Sequence, residues 1–123
     1  MTGKKILIVE DEKPMARALE LKLTNLGYVP TVALNGEEGI AAIQKDTFDL
    51  ILLDLMMPKK DGFSVMEDIK KMNIAMPPII VTTNLSQGTD IEKAKALGAT
   101  DYIVKSNTPL VEVVKRIENL LKK

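Results

Sequence analysis

The stretch KKILIVEDEKP, residues 4–14, decides how the rest of the chain is read. Ile6, Leu7, Ile8 and Val9 form an unbroken apolar run, and Glu10, Asp11 and Glu12 follow it directly. A short continuous run rich in β-branched residues has no polar face. It therefore reads as a strand buried on both sides of a sheet. The acids mark where that strand leaves the core. Two like charges about 4 Å apart, at an effective dielectric near 20, repel by on the order of 4 kcal/mol. Either these carboxylates fan out into water or a positive group belongs among them.

Downstream, apolar runs of the same kind alternate with stretches of helical period. The segment 13–27 is predicted helical: Pro14 suits a first turn, Leu19, Leu23 and Leu26 recur on one face, and Gly27 suits the position just past the end. YVPTVAL (28–34) is a weaker strand, with Pro30 suggesting an edge. The next helix starts at Asn35, with Glu38 at capping-box spacing. FDLILLD (48–54) is a buried strand. The helix after it, over 61–72, places Phe63, Met66 and Ile69 on one face. PIIVTT (78–83) is a strand, 89–98 a helix closing at Gly98, and DYIVK (101–105) a short strand. In the last helix Thr108 is the expected cap and Pro109 the first helical residue. Leu110, Val113, Val114, Ile117, Leu120 and Leu121 form its apolar stripe. Five β–α units imply parallel pairing through right-handed crossovers and a sheet covered on both faces. No repeat, low-complexity tract or linker interrupts the pattern, so one α/β domain over 1–123 is expected.

Composition narrows the chemistry. The 123 residues carry 17 basic and 17 acidic side chains, a formal net charge of zero. Non-specific binding to nucleic acid or to an anionic membrane needs a basic surplus, so no direct nucleic-acid binding and no membrane insertion are expected. There is no cysteine and no histidine, which removes disulfides, thiolate and imidazole metal sites, and a Ser-His-Asp triad. No apolar run approaches the ~20 residues that span a bilayer, and a cytoplasmic location is the default expectation.

Ligands of open parallel sheets sit outside the carboxyl ends of the strands. The first strand ends in Glu10-Asp11, the third in Asp54, the fourth in Thr82-Thr83 and the fifth in Lys105. In a parallel sheet all of these share one edge. Oxygen ligands without histidine or cysteine favour a hard cation, and Mg²⁺ suits few carboxylates and several waters. A carboxylate beside Mg²⁺, a lysine and a hydroxyl is equipped for phosphoryl transfer. Taken singly, each residue has an ordinary reading: acids at a helix start, a loop aspartate, a solvated lysine, strand threonines. Jointly these readings leave the common edge unexplained.

With these marks the chain resembles the receiver domain of two-component response regulators, of the stand-alone, chemotaxis-receiver-like kind. The marks are the acidic pair Glu10-Asp11, Asp54 within LLDLMMPKKDG, Thr83, and Lys105 at the end of LGATDYIVK with Tyr102 before it. The resemblance implies a flavodoxin-like, doubly wound (βα)5 fold with strand order 2-1-3-4-5. It also implies that Asp54 is the phosphoacceptor. Asp11, Asp54 and the main-chain carbonyl of Met56 would bind Mg²⁺, and Glu10 would act mostly through a bound water. Lys105 would pair with Asp54 and then with the phosphoryl group. Thr83, which the family's usual spacing back from its lysine selects over Thr82, would bond a phosphoryl oxygen. Tyr102 would turn inward with it and remodel the surface of the fourth helix and fifth strand. The implied partners are a sensor histidine kinase or phosphotransfer protein and an unknown downstream protein. The implied assembly is a monomer or a weak phosphorylation-dependent dimer.

The chain departs from the family's common pattern at Asn84, where a small residue is usual, and at Ser106, where a proline in a cis peptide usually follows the lysine. The acidic pair is Glu-Asp instead of Asp-Asp. Met56 and Leu85, two residues past Asp54 and Thr83, cannot orient a water strongly, so a long-lived phosphoryl group is expected. The alternative function is a Mg²⁺-dependent phosphatase or phosphotransferase with an aspartyl-phosphate intermediate. Such enzymes usually carry a second aspartate two residues after the nucleophile, where this chain has Met56. A receiver-like scaffold without phosphorylation would be expected to lack part of the site. A dinucleotide-binding domain lacks support because neither G-x-G-x-x-G nor a Walker A motif is present. The chain is thus expected to catalyse only its own phosphorylation and dephosphorylation.

Overall fold

The computed structural model describes residues 3–57, 60–72, 74–84, 88–105 and 108–122. Their elements run β1 (Lys5–Val9), α1 (Lys13–Asn25), β2 (Val29–Ala33), α2 (Gly36–Lys45), β3 (Leu50–Asp54), α3 (Gly62–Lys71), β4 (Ile79–Thr83), α4 (Gly88–Ala96), β5 (Asp101–Val104) and α5 (Leu110–Leu121). The strands pair in parallel in the order β2-β1-β3-β4-β5. Pro30 lies in β2, an edge strand, where a residue without an N–H leaves no interior ladder bond unmade.

Side chains alternate across a strand, so the apolar runs split into two core layers. Ile6, Ile8, Leu50, Leu52, Ile80 and Ile103 pack with Leu19 and Leu23 of α1 and with Val113, Val114 and Ile117 of α5. Leu7, Val9, Ile51, Leu53, Ile79 and Val81 pack with Ile43 of α2, with Val65, Met66 and Ile69 of α3, and with Ala94 of α4. Both faces are covered, which is why the strands show no polar alternation.

Helix ends follow local chemistry. Asn35 accepts a hydrogen bond from the Glu38 N–H at 2.9 Å, and the Glu38 carboxylate reaches back to the N–H of Leu34. The box therefore closes one residue upstream of the usual position. At the end of α1, Gly27 (φ 93°) donates to the Thr24 carbonyl, and Tyr28 donates to the Leu23 carbonyl. This is a Schellman closure. Gly98 (φ 108°) and Ala99 repeat it at the end of α4, donating to Lys95 and Ala94.

Two details correct the sequence reading. Leu26 is not part of the α1 apolar face: the helix stops at Asn25, and Leu26 caps it with its side chain exposed, while Tyr28 enters the core. Thr108 does not cap α5. Pro109, with extended ψ of 157°, is itself the N-cap residue, with no side-chain cap bond, and its carbonyl accepts from the N–H groups of Glu112 and Val113. The Thr108 N–H donates to the Lys105 carbonyl just ahead of the helix.

Candidate functional site

Parallel pairing brings the carboxyl ends of β1, β3, β4 and β5 to one edge, and the buried polar side chains gather there. Glu10, Asp54, Thr82 and Thr83 are the buried polar or charged residues among those described. Glu10 follows β1 and is anchored by its N–H to the Ala33 carbonyl at 3.0 Å. Asp54 closes β3, and the start of α3 packs back against its main chain. The Gly62 N–H donates to the Leu55 carbonyl, and a Cβ on Gly62 would lie 2.6 Å from the Asp54 carbonyl oxygen. Only glycine permits that approach.

Lys105 projects into the acids from beyond β5. Its Nζ lies 2.7 Å from Glu10 Oε1, 3.0 Å from Asp54 Oδ2 and 3.1 Å from Glu12 Oε1. The second Asp54 oxygen accepts from the Met56 N–H at 3.1 Å, and the second Glu10 oxygen accepts from the Glu12 N–H at 3.1 Å. Glu10, Asp11 and Asp54 each offer a carboxylate oxygen within 4.8 Å of the others.

Electrostatics separate the members. Burial, and then the charge of Glu10, push the Asp54 carboxyl up to about 7; Lys105 and the Met56 N–H pull it back only in part. Burial alone would lower the Lys105 ammonium, but its bonds to Glu10 and Asp54 outweigh this and raise it. One cation thus faces several carboxylates at least partly withdrawn from water. A hard divalent ion fits this donor set: the ligands are oxygens, two of them are buried, and their mutual repulsion is what a cation relieves.

The two threonines lie on different faces. Asp54 registers with Thr82, so Thr82 is its neighbour on the α1/α5 side. Thr83 registers with Val104 and falls on the opposite face, which also carries Tyr102. Tyr102 is half-buried against the α2/α3/α4 layer, and burial followed by the charge of Asp90 raises its phenol. Asn84 is exposed, as is the Met56 side chain. Leu85 and Ser106 lie outside the described residues.

The family model for the response regulator receiver domain matches residues 6–118. The chain belongs to this family. As a receiver domain it is 40% identical over 118 residues to a probable transcriptional regulator, ycf27, of Cyanidium caldarium, covering 96% of this chain and 46% of that protein. It is 39% identical over 101 residues to the transcriptional regulatory protein DltR of Streptococcus agalactiae, covering 82% and 45%. The chain therefore spans about half the length of the curated relatives it matches. Among solved structures, the Francisella response regulator 1452 receiver domain superposes with a TM-score of 0.87 at 32% identity, covering 97% of each chain. The response regulator TrrA of Thermotoga maritima, in complex with Mg²⁺-BeF, superposes at 0.81 with 32% identity, covering 96% and 99%. Both superpose over nearly the whole chain, so the fold is shared with these response regulator proteins.

The sequence reading brought Glu10, Asp11, Asp54 and Lys105 to one site, and the receiver fold assembles that group. It missed two contacts. Glu12 is a partner of Lys105, and Glu10 touches Lys105 directly in addition to lying beside Asp11 and Asp54. No local signal could have shown the first, because 93 positions separate the pair. Among the described residues, no helix is long and apolar enough to cross a membrane.

Proposed function

We propose that Asp54 is the phosphoacceptor of this receiver domain and that phosphorylation changes the surface around α4 and β5. The observation that carries the reading is the Asp54 carboxylate itself, buried at the sheet edge beside the Lys105 ammonium and the carboxylates of Glu10 and Asp11. A Mg²⁺ ion held by Asp11, Asp54 and the Met56 carbonyl, with Glu10 acting through water, would supply charge to offset the phosphoryl oxygens. An Asp54 oxygen attacks phosphorus, and the bond from phosphorus to the donor's leaving atom breaks, its electron pair departing with that atom. Lys105 is already placed to receive a phosphoryl oxygen, because its ammonium sits against the attacking carboxylate.

Thr83 is the hydroxyl that would bond the phosphoryl group. Its support is position: it ends β4 at the level where Lys105 leaves β5, on the face shared with Tyr102. Movement there would be felt by Tyr102 and by α4, from which Asp90 acts on the phenol. The donor would be a sensor histidine kinase or a phosphotransfer protein, and the output a downstream protein bound at the altered surface. The chain would act as a single receiver domain, monomeric or weakly dimeric when phosphorylated, without binding nucleic acid itself. It would turn over no substrate beyond its own aspartyl-phosphate. The test is intact mass after incubation with acetyl phosphate and Mg²⁺. One phosphoryl adduct on wild type and none on Asp54→Asn supports the assignment; an adduct on both removes it.

A further inference from the structure

We propose that Met56 is a reversible oxidation site of this receiver domain, and that its sulfoxide shortens the life of the aspartyl-phosphate beside it. The chain has seven methionines and no cysteine, so thioethers are the only sulfur a peroxide meets here. The described methionines differ in access. Met66 is fully buried, and Met15, Met57, Met72 and Met76 are partly buried against the two core layers. The Met56 side chain is 56% exposed and belongs to neither layer. Oxidation turns a flexible apolar side chain into a polar one and disrupts a core that contains it. At Met56 it reaches the most accessible of the described thioethers and leaves the core intact.

The place of Met56 gives the change its consequence. Its N–H donates to Asp54 Oδ1 at 3.1 Å, so its side chain starts beside that carboxylate and extends into solvent. Asp54 itself is 3% exposed, and a water that attacks a phosphoryl group held there comes from the solvent side. A thioether is a weak acceptor and orients such a water poorly. A sulfoxide carries a polar oxygen on the same flexible stem. The oxidant is a peroxide. With hydrogen peroxide, the sulfur lone pair attacks one peroxide oxygen and the O–O bond breaks. Sulfur is oxidised, and the transferred oxygen gives its proton to the departing hydroxide, which leaves as water. In the later hydrolysis the water oxygen attacks phosphorus, and the bond from phosphorus to the Asp54 oxygen breaks with its electron pair returning to the carboxylate. The proton of the attacking water passes to solvent. The sulfoxide oxygen accepts a hydrogen bond from that water and takes no proton, so its effect is one of orientation.

The inference rests on Asp54 being the phosphoacceptor. The experiment uses the whole chain as wild type, Met56→Leu and Asp54→Asn, each with and without a limited hydrogen peroxide treatment. Fragment masses locate the added oxygen. After the peroxide is removed, each protein is phosphorylated with acetyl phosphate and Mg²⁺, the donor is removed, and the phosphoprotein is followed by intact mass. Met56 should be oxidised before the other described methionines. Singly oxidised wild type should lose its phosphoryl group about two- to tenfold faster than untreated wild type, the weight of one hydrogen bond. Reduction by a methionine sulfoxide reductase should restore the slower decay. Met56→Leu, compared with itself, should decay at one rate before and after peroxide. Oxidation that favours a buried methionine over Met56 would overturn the proposal. So would an unchanged or slower decay in oxidised wild type, or a peroxide effect of the same size in Met56→Leu, which would assign it to another methionine. A phosphoryl adduct on Asp54→Asn would remove the phosphoacceptor reading and this inference with it, whereas unchanged decay in oxidised wild type removes the inference alone.

Discussion

The two edges of the sheet each hold a lysine–aspartate pair, and the pairs behave in opposite ways. At the amino edge Lys5 bonds both oxygens of Asp46 at 2.8 Å, with 43% and 46% of the side chains exposed. The hydrogen bond from Lys5, then that from the Thr47 N–H, lowers the Asp46 carboxyl. At the carboxyl edge Lys105 bonds Asp54 at 3.0 Å, yet the Asp54 carboxyl is pushed up to about 7. The chemistry of the pair is the same. The difference is that Asp54 has lost its water and shares its lysine with Glu10 and Glu12. A salt bridge on an open edge serves the fold modestly, whereas one lysine shared by three carboxylates, two of them buried, leaves negative charge uncompensated.

The strongest way to break this contrast is to remove Lys105. Lys105→Met should cost about 2–4 kcal/mol in metal-free protein, because it leaves buried carboxylates without their cation. Urea unfolding in EDTA measures it, and a loss below that of the Lys5 variant would erase the distinction between the edges. Supplying a second cation should have nearly as large an effect in the other direction. Mg²⁺ at a hundred times its dissociation constant should stabilise wild type by about 2.7 kcal/mol, and Asp54→Asn by clearly less. Equal shifts of the melting temperature in both proteins would exclude Asp54 from the metal site.

A smaller effect follows from removing one charge. Asp54→Asn should raise the melting temperature in EDTA by about 3–5 °C, the shift that roughly 1 kcal/mol makes in a domain of this size. That gain should depend on pH. The folded Asp54 carboxyl, near 7, binds a proton that the unfolded one releases near its ordinary value of 3.8. Its contribution to stability is fully present below about 4 and is lost as pH rises through about 7. Wild type in EDTA should therefore lose stability across this window, and Asp54→Asn should show a flatter profile. Asp46 has the opposite sign, since a lowered carboxyl contributes above its unfolded value and fades as pH falls through its folded one. Parallel pH profiles for wild type and Asp54→Asn would refute the raised value.

The smallest change should come from Lys5→Met, which removes the exposed pair at the amino edge. A loss well below that of Lys105→Met is expected, shrinking with added salt. A larger loss, measured by the same urea unfolding, would mean that the amino edge is electrostatically organised as well.

The sequence by itself determined the ten elements and their parallel pairing. Unbroken apolar runs can be satisfied only by a sheet covered on both faces, and helical runs between them leave only crossover connections. It also determined that Glu10, Asp11, Asp54 and Lys105 share one edge, because parallel strands end on the same side. The receiver-domain resemblance supplied the strand order and the chemistry expected of that edge. Tertiary structure alone decided which groups touch. Register put Thr82 beside Asp54 and Thr83 on the face of Tyr102, a one-residue difference that flips a side chain across the sheet. It moved the start of α5 past Thr108 and exposed Leu26, where turn geometry overrode helical spacing. It also gave Lys105 its third carboxylate, Glu12. Local sequence carries propensity and periodicity. A contact between residues 93 positions apart exists only once the intervening strands have set the distance between them.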